Sequence, residues 1–297
     1  MTATVSRPDV YATITNKILA KMEQGELPWC KPWNAQHAAG STTRPLRYNG
    51  ECYHGVNVLI LWLTAEERSY HCPLWITFNQ AKELGGFVKK GEKGTPVVYA
   101  NTFTKKETDE ATGEESEEKI PFLKSYTVFN ALQVEGLPEH YYAMKEQPKN
   151  LAERLGDVEA FVAHTKAEIR HGGNKAFYLP STDYVQMPPY ECFRDREFYY
   201  STLSHELTHW SGSDKRLKRE LNKSRFGDET YAVEELIAEL GAAFLCADFG
   251  IATEPRADHA AYLQNWLKVL KNDKKAIFTA AALAEKAVAY LHGLQPK

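Results

Sequence analysis

The chain has 297 residues, a length that commonly accommodates two domains, each able to bury a core. Its 43% hydrophobic and 25% charged residues are typical of a globular protein and exclude a disordered or fibrous one. No run approaches the roughly eighteen apolar residues of a membrane span, and the N-terminal segment lacks the apolar core of a signal peptide. Five widely spaced cysteines form no CxxC pair, so we expect a soluble cytoplasmic protein with reduced thiols and no membrane partner.

The net charge of −3 conceals an uneven distribution. Residues 1–135 contain 15 lysines and arginines against 16 acids, but seven of those acids lie between Glu107 and Glu118. Without that segment the N-terminal half carries a charge of +6 and is basic.

The first elements are predicted by hydrophobic periodicity. Apolar residues recur with helical spacing from Tyr11 to Gln24, and Gly25 follows where a helix would end. Residues 55–70 predict a buried helix, and WITFNQAKELGG predicts a short strand followed by a helix. The runs VVYANTFTKK and KIPFLKSYTVFNALQV predict a long hairpin whose loop is the acidic segment.

The periodicity lapses at residues 136–150, where two prolines occur. We therefore place an N-terminal domain at 1–136 and a C-terminal domain at 150–297. In the second half we expect a helix over 151–170, two short antiparallel strands around Tyr178 and Tyr184–Met187, and helices near 194–211, 229–249, 256–272 and 273–292.

The segment YYSTLSHELTHW contains the motif HExxH, which predicts a metal site. On a helix, His205 and His209 share one face with Cβ atoms about 6 Å apart, so both imidazoles can reach one tetrahedral metal. Glu206 is placed to act as the general base on a water molecule held there. The flanking residues are apolar, so a polar trio in a buried helix needs a function. We expect Zn²⁺, with another divalent metal as an alternative.

A catalytic zinc needs a third protein ligand. In the extended motif HExxHxxGxxH, Gly212 fits, but the last position is Lys215, which cannot bind a cation. Asp214 is one residue out of register and is a weak substitute.

A second source of the third ligand is the segment YAVEELIAELGAAFL, which predicts an apolar helix. Carboxylates in such a helix need a cation or hydrogen-bonding partners. Glu235 and Glu239 share a face, so we predict Glu235 as ligand and Glu239 as the acceptor of a histidine N–H. The reverse assignment and Glu234 as ligand are the alternatives.

The sequence indicates the residues that contact the substrate less specifically than it indicates the metal ligands. The strand TDYVQMPP precedes the HExxH helix, where an edge strand can bind a peptide main chain by strand addition. Other histidines and Tyr184, Tyr190, Tyr199 and Tyr231 are candidates for stabilising an oxyanion, and the sequence does not select among them.

Aromatic and basic residues are interleaved in the N-terminal half, a combination that binds single-stranded nucleic acid by base stacking and phosphate contacts. Tryptophan is also a common core residue, so composition alone is a weak signal. The candidate contacts are Trp29, Lys31, Trp33, Arg44, Arg47, Tyr53, Lys89, Lys90 and Lys93.

The segments KILAKMEQGELPWCKPWN, NGECYHGVN, WITFNQAKELGGFVKKGEKG and VFNALQVEGLP resemble the N-terminal domain of the ArdC family of plasmid antirestriction proteins, which is also similar to TraC-type primases. TLSHELTHWSG and YAVEELIAELGAAFL resemble the zincin-like metallopeptidase domain that follows it in that family. The resemblance implies an α+β fold with an N-terminal mixed α/β domain that binds single-stranded DNA. It implies a C-terminal zincin-like metallopeptidase domain with an HExxH active-site helix, and a role in protecting incoming plasmid DNA from restriction during conjugation.

Three functions remain open at this point. The chain is a DNA-tethered zinc peptidase that cleaves a restriction component or another DNA-bound protein, or it is a protein that occludes single strands and has an inactive metal site. The third alternative is a general cytosolic peptidase with a specificity module.

Overall fold

The structure is a computed structural model that describes residues 9–30, 43–108, 115–142, 151–221, 229–251, 253 and 259–296. The helices in this part of the chain are α1 (Val10–Met22), α2 (Val56–Glu67), α3 (Phe78–Glu83), α4 (Leu151–Thr165), α5 (Arg196–Ser211), α6 (Thr230–Phe249), α7 (His259–Asn272) and α8 (Ala276–Gly293). The strands are β1 (Leu46–Arg47), β2 (Leu74–Thr77), β3 (Phe87–Val88), β4 (Thr95–Thr108), β5 (Glu115–Asn130), β6 (Val134–Glu135), β7 (Glu168–His171), β8 (Phe177–Leu179) and β9 (Tyr184–Met187).

The N-terminal half is a mixed sheet flanked by helices. The sheet has the order β1-β2-β5-β4, in which β1 and β2 are parallel and the other pairs antiparallel. The expected hairpin is confirmed, since β4 pairs with β5 continuously from Thr95 opposite Val128 to Thr108 opposite Glu115. The pairing therefore extends into the acidic segment from both sides. A second, two-stranded sheet joins β3 and β6.

The expected helix over 151–170 is wrong at its C-terminal end. Helix α4 ends at Thr165, whose hydroxyl donates to the carbonyl oxygen of Val162, and Lys166 has a positive φ of 56° that interrupts the helix. Residues Glu168–His171 then form β7, which pairs in parallel with β9. The local pattern AEIR is compatible with a helix. These residues form a strand because they pair with β9, which lies further along the chain.

The largest apolar core crosses the expected domain boundary. Ile18 of α1 and Trp62 of α2 belong to the same buried cluster as Phe244 of α6 and Trp266 of α7. The ring of Trp62 lies 6.1 Å from that of Phe244, and the ring of Trp29 lies 5.9 Å from that of Trp266. A smaller core lies on the other face of the N-terminal sheet, around Leu74, Ile76 and Val134. The two halves are thus joined by shared apolar packing.

The C-terminal half combines the three-stranded sheet β7-β9-β8 with a helical layer in which α6 contacts α5, α7 and α8. The fold is α+β, with a mixed N-terminal domain and a C-terminal domain that carries HExxH on α5. Among the described residues, no helix combines the length and the apolar content that crossing a bilayer requires.

Candidate metal centre

The HExxH motif lies in the buried middle of α5. The helix begins after Asp195, whose side chain accepts a hydrogen bond from the backbone N–H of Phe198 at 2.8 Å, a standard N-terminal cap. His205 and Glu206 are buried, and His209 is partly exposed. The apolar residues around the motif place it in the core, as expected from the sequence.

Helix α6 approaches α5 closely because a glycine lies at the contact. A Cβ atom added to Gly241 would lie 2.5 Å from Cγ2 and Oγ1 of Thr208, far inside van der Waals contact. Three glutamates within the two turns of α6 that precede Gly241 are thereby brought to the HExxH face of α5. These are Glu234, Glu235 and Glu239.

The structure brings together one atom from each of three side chains in the geometry of a metal site. His205, His209 and Glu235 offer donor atoms that all lie within 4.8 Å of one another. The two Nε2 atoms are 3.1 Å apart, and the Glu235 oxygens lie 3.6 Å from His205 Nε2 and 3.4 Å from His209 Nε2. Ligands about 2.0–2.1 Å from one tetrahedral ion are separated by roughly 3.3–3.4 Å. The observed separations are close to that spacing, although the 3.6 Å distance is to Oε2 of Glu235 and the 3.4 Å distance is to Oε1.

A carboxylate of α6 lies beside the other ring nitrogen of each histidine. Nδ1 of His205 lies 2.9 Å from Glu239 Oε1, and Nδ1 of His209 lies 3.1 Å from Glu234 Oε1. A carboxylate at Nδ1 favours the tautomer whose Nε2 lone pair is available to a metal. Glu239 thus lies beside His205, while Glu234 contacts His209 and not the triangle.

Arg219 holds Glu234 in place. Its guanidinium is almost fully buried, donates to both Glu234 oxygens at 3.0 Å and 2.5 Å, and donates to the carbonyl oxygen of Thr208 at 2.9 Å. Gly212 makes room for this group, since a Cβ there would lie 2.5 Å from the guanidinium. Nothing local in the sequence relates Arg219 to Glu234, so this role of Arg219 is not predictable from the sequence.

The electrostatics of the cluster favour positive charge. Burial alone would lower the pKa of His209, but hydrogen bonds with Glu234 and Glu235 and the charge of Glu206 raise it to about 10. Burial would raise the pKa of Glu235, yet the hydrogen bonds with His205 and His209 hold it well below the ordinary value. Anionic groups therefore outnumber cationic ones around the triangle, as a site for a divalent cation requires.

The triangle opens into a cleft of about 530 Å³. Glu206, His205 and His209 line it together with Tyr231 and Tyr262. The hydroxyl groups of the two tyrosines lie 3.1 Å apart. Asp214 and Lys215 lie on the rim, where Lys215 forms an ion pair with Asp183 at 3.1 Å. Neither belongs to the triangle.

The expectation that TDYVQMPP is an edge strand is wrong. Strand β9 is the central strand of its sheet, paired with β7 on one side and with β8 on the other. Its backbone groups therefore already pair with both neighbours, and β7 and β8 are the edge strands of this sheet. Phe177 and Tyr178 of β8 line the cleft.

Two family models match this chain in sequence. The first, described as the N-terminal domain of anti-restriction factor ArdC, matches residues 8–129, and the second, described as a zincin-like metallopeptidase, matches residues 156–283. A crystal structure of the antirestriction ArdC protein from plasmid R388, in its metal-free form, is 47% identical. The match covers 96% of this chain and 97% of that one, with a TM-score of 0.78.

The chain belongs to the ArdC family. A Mn(II)-bound structure of the R388 ArdC protein is 44% identical, covers 96% of this chain and 98% of that one, and has a TM-score of 0.77. An uncharacterised protein, y4eC, of Sinorhizobium fredii is 40% identical over 97% of this chain and 92% of its own length. A DNA primase TraC of Escherichia coli is 36% identical over 99% of this chain but only 28% of its own length.

Several residues predicted to contact DNA are buried in this ArdC-family protein. Trp29 and Tyr53 lie in the core, and Arg44 is a buried cation paired with Asp248 at 2.6 Å and Glu285 at 2.9 Å. Their side chains are not accessible to bases or phosphates, so these three predictions are corrected.

The remaining basic candidates keep some exposure. The Arg47 side chain is 43% exposed and ion-paired with Glu51, and Lys89 donates to the carbonyl oxygen of Leu132 at 3.0 Å. Lys90 and Lys93 are exposed. Lys31 and Trp33 lie outside the described residues.

Exposed aromatic residues of the N-terminal half were missed as candidates. Phe87 of β3 is 60% exposed, and Phe78 and Tyr99 are also exposed. Phe78 begins α3, which contacts β3. The strand alternation that turns Phe87 outward depends on its pairing with β6, and a run of two residues gives no readable period.

Proposed function

We propose that this chain is a divalent-metal-dependent peptidase joined to a single-stranded DNA-binding module, and that it protects incoming plasmid DNA from host restriction during conjugation. The observation that carries the proposal is the triangle of His205, His209 and Glu235, whose donor atoms all lie within 4.8 Å of one another, beside Glu206 in an open cleft. The antirestriction role is supported by membership of the ArdC family. We retain residues 1–136 and 150–297 as the functional units, acting in the cytoplasm.

His205, His209 and Glu235 would hold a zinc ion or another divalent cation, which supplies Lewis-acid polarisation of a peptide carbonyl. Two neutral imidazoles and one carboxylate form a ligand set typical of catalytic zinc. The carboxylates on both Nδ1 atoms would fix the ring orientations before any cation binds.

Glu206 would act as general base. Its carboxylate lies in the cleft next to His205 and would accept the proton of the attacking water and return it to the leaving amine. Of the four tyrosine candidates, Tyr231 lines this cleft. Its hydroxyl would donate to the developing oxyanion. Tyr199 instead contacts His171 at 2.8 Å, and Tyr184 packs under Arg170.

Strand β8 would align the substrate. It is the edge strand beside the cleft, and an extended peptide can pair with such an edge through main-chain hydrogen bonds. The substrate we favour is a restriction component or another DNA-bound protein. A DNA-binding module raises the effective concentration of proteins on the same strand.

The single-stranded DNA surface that we propose includes Phe78, Phe87, Lys90 and Lys93. The rings of Phe78 and Phe87 are exposed, and each can stack one base. The two lysines follow Phe87 within six residues and would contact the backbone phosphates.

The peptidase is tested with the full-length chain and its Glu206→Gln variant. Metal content is measured first, and cleavage of an unfolded protein is then followed with and without single-stranded DNA. We expect Glu206→Gln to retain the metal and to lose about 100-fold or more of the cleavage rate, since a general base contributes that much. Glu191→Gln changes an exposed carboxylate outside the cleft and serves as the control. Equal cleavage by Glu206→Gln and the parent would refute the assigned base.

The DNA surface is tested by titrating single-stranded DNA at several salt concentrations. Phe87→Ala should weaken binding by about 1–3 kcal/mol, and Lys90→Gln should lower the slope of log Kd against log salt by about 0.7. Tyr190→Ala, an exposed aromatic of the C-terminal half, is the control. A parent chain that binds no single-stranded DNA would favour the general peptidase.

Conjugation into a restricting recipient separates the peptidase from simple occlusion of the strand. Under the joint proposal, Glu206→Gln and Phe87→Ala each lower plasmid survival. If Glu206→Gln protects as well as the parent while Phe87→Ala does not, occlusion is the operative activity and the metal site is dispensable for it.

A further inference from the structure

Trp29 lies behind the metal-site residue His205, on the side away from the cleft. The indole is 2% exposed and packs edge to face against Trp266 at 5.9 Å. Its carbonyl oxygen accepts a hydrogen bond from Thr253 Oγ1 at 3.1 Å. The residue therefore belongs to the N-terminal half in sequence but to the C-terminal core in space.

A small cavity separates this indole from the metal-site residues. Its volume is about 10 Å³, and its wall includes Trp29, Ser201, His205 and Glu239. Within the described part of the chain, Trp29 Nε1 is fully buried and has no hydrogen-bond partner. A buried indole N–H normally has one, and leaving it unpaired is unfavourable.

The cavity matches a single water molecule in size and in chemistry. About 10–15 Å³ is the space one water needs, and a buried water typically makes about three hydrogen bonds. The wall offers a donor in Trp29 Nε1, an acceptor in the Glu239 carboxylate and a hydroxyl in Ser201. No larger ligand fits.

We propose that this cavity binds one structural water that accepts a hydrogen bond from Trp29 Nε1 and donates one to the Glu239 carboxylate. Glu239 Oε1 in turn lies 2.9 Å from His205 Nδ1. A carboxylate has about four lone-pair positions, so it can accept from both the water and the imidazole. Trp29 is then a positioning residue of the metal centre, acting through the water and Glu239. This inference rests on the proposed metal site.

The consequence is that the N-terminal half helps to fix a metal ligand. Groups that orient metal-binding histidines usually affect metal affinity by about 10–100-fold, and an indirect contact should have a smaller effect. Metal affinity would then respond to changes at residue 29, although that residue lies outside the C-terminal domain.

The test measures the metal dissociation constant of the full-length chain by competition with a chelator. Trp29→Phe keeps an aromatic ring against Trp266 and removes the N–H, and we expect it to weaken zinc binding by about three- to tenfold. In the Glu239→Gln variant, adding Trp29→Phe should cause no further loss of zinc affinity, because the carboxylate that connects the water to His205 is already absent. The control is Trp62→Phe, since Trp62 Nε1 donates directly to the carbonyl oxygen of Thr43 within the same core.

Unchanged zinc affinity in Trp29→Phe, or an equal loss in Trp62→Phe, would overturn the inference. A crystal structure that resolves ordered water supplies a second test and does not depend on the variant folding. Density between Trp29 Nε1 and Glu239 supports the water, and an empty cavity refutes it. If the parent binds no divalent cation, or binds it equally well after His205→Ala, the metal site itself fails, and the density alone decides whether the water is there.

Discussion

At the scale of single residues, the site consists of two imidazoles held from behind and facing one carboxylate. Glu239 supports His205 and Glu234 supports His209, so both Nε2 atoms face Glu235. Helical spacing puts Glu235 and Glu239 on one face, which is why the sequence predicts this pair. The position of Glu234 depends on Arg219, which lies 15 residues away in the chain. Helical spacing alone therefore does not predict it.

Arg219→Lys tests this arrangement. Lysine keeps the charge but cannot bond both Glu234 oxygens and the Thr208 carbonyl together, so Glu234 loses its fixed position. We expect metal affinity to fall about tenfold, measured by chelator competition. Arg216→Lys is the matched control, because Arg216 pairs with Asp183 and stacks on Trp210 without contacting Glu234. A similar loss of metal affinity in both variants would contradict the role of Arg219.

At the scale of elements, the helices are predictable from sequence and the sheet order is not. Periodicity and glycine positions are local, and they locate α1, α2, α5 and α6 within a few residues. The order β7-β9-β8 depends on pairing between strands separated in the chain, which leaves β7 unrecognised and places β9 wrongly at an edge. The burial of a tryptophan is equally hard to predict, because composition does not distinguish a core tryptophan from one that stacks on DNA.

Gly241→Ala tests the contact between α5 and α6. Alanine favours helix by about 1 kcal/mol, but its Cβ would meet Thr208 at 2.5 Å, and such overpacking costs about 1–3 kcal/mol. We expect the free energy of unfolding in urea to fall and metal binding to weaken, because α6 carries Glu235. Gly156→Ala is the control: a Cβ there meets nothing within 4 Å, so this helical substitution should stabilise the protein.

The Gly241→Ala effect should be reversed by making room on the other helix. Thr208→Ala in the same chain removes Cγ2 and Oγ1, the two atoms nearest to the added Cβ. We expect the double variant to bind metal more tightly than Gly241→Ala alone. Additive losses would mean that the two residues do not interact across the contact.

At the scale of the whole molecule, the two family domains share one core. Helices α1 and α2 pack against α7 and α8, so an isolated N-terminal half would expose apolar residues such as Ile18 and Trp62. Arg44 adds a buried ionic contact across the same junction, to Asp248 and Glu285. Functional tests of either half therefore require the full chain.

Glu285 makes this junction sensitive to acid. Burial alone would raise its pKa, but the hydrogen bond with His54 and the charge of Arg44 hold the pKa below its ordinary value. A carboxyl whose pKa is lowered by folding stabilises the protein above its unfolded pKa of about 4.3, and that stabilisation is lost as the pH falls through the folded value. The contribution should therefore be constant near neutral pH and disappear in acid.

Glu285→Gln isolates that contribution. Near neutral pH the variant should unfold with a free energy about 1–3 kcal/mol lower than the parent, because Arg44 and His54 lose a charged partner. Below about pH 4.3 the difference should shrink, since the parent carboxyl becomes protonated as well. Reversible urea unfolding over this range measures both values. Glu51→Gln, which alters an exposed pair with Arg47, should show no such pH dependence. A difference for Glu285→Gln that stays constant into acid would mean that its charge does not hold the two halves together.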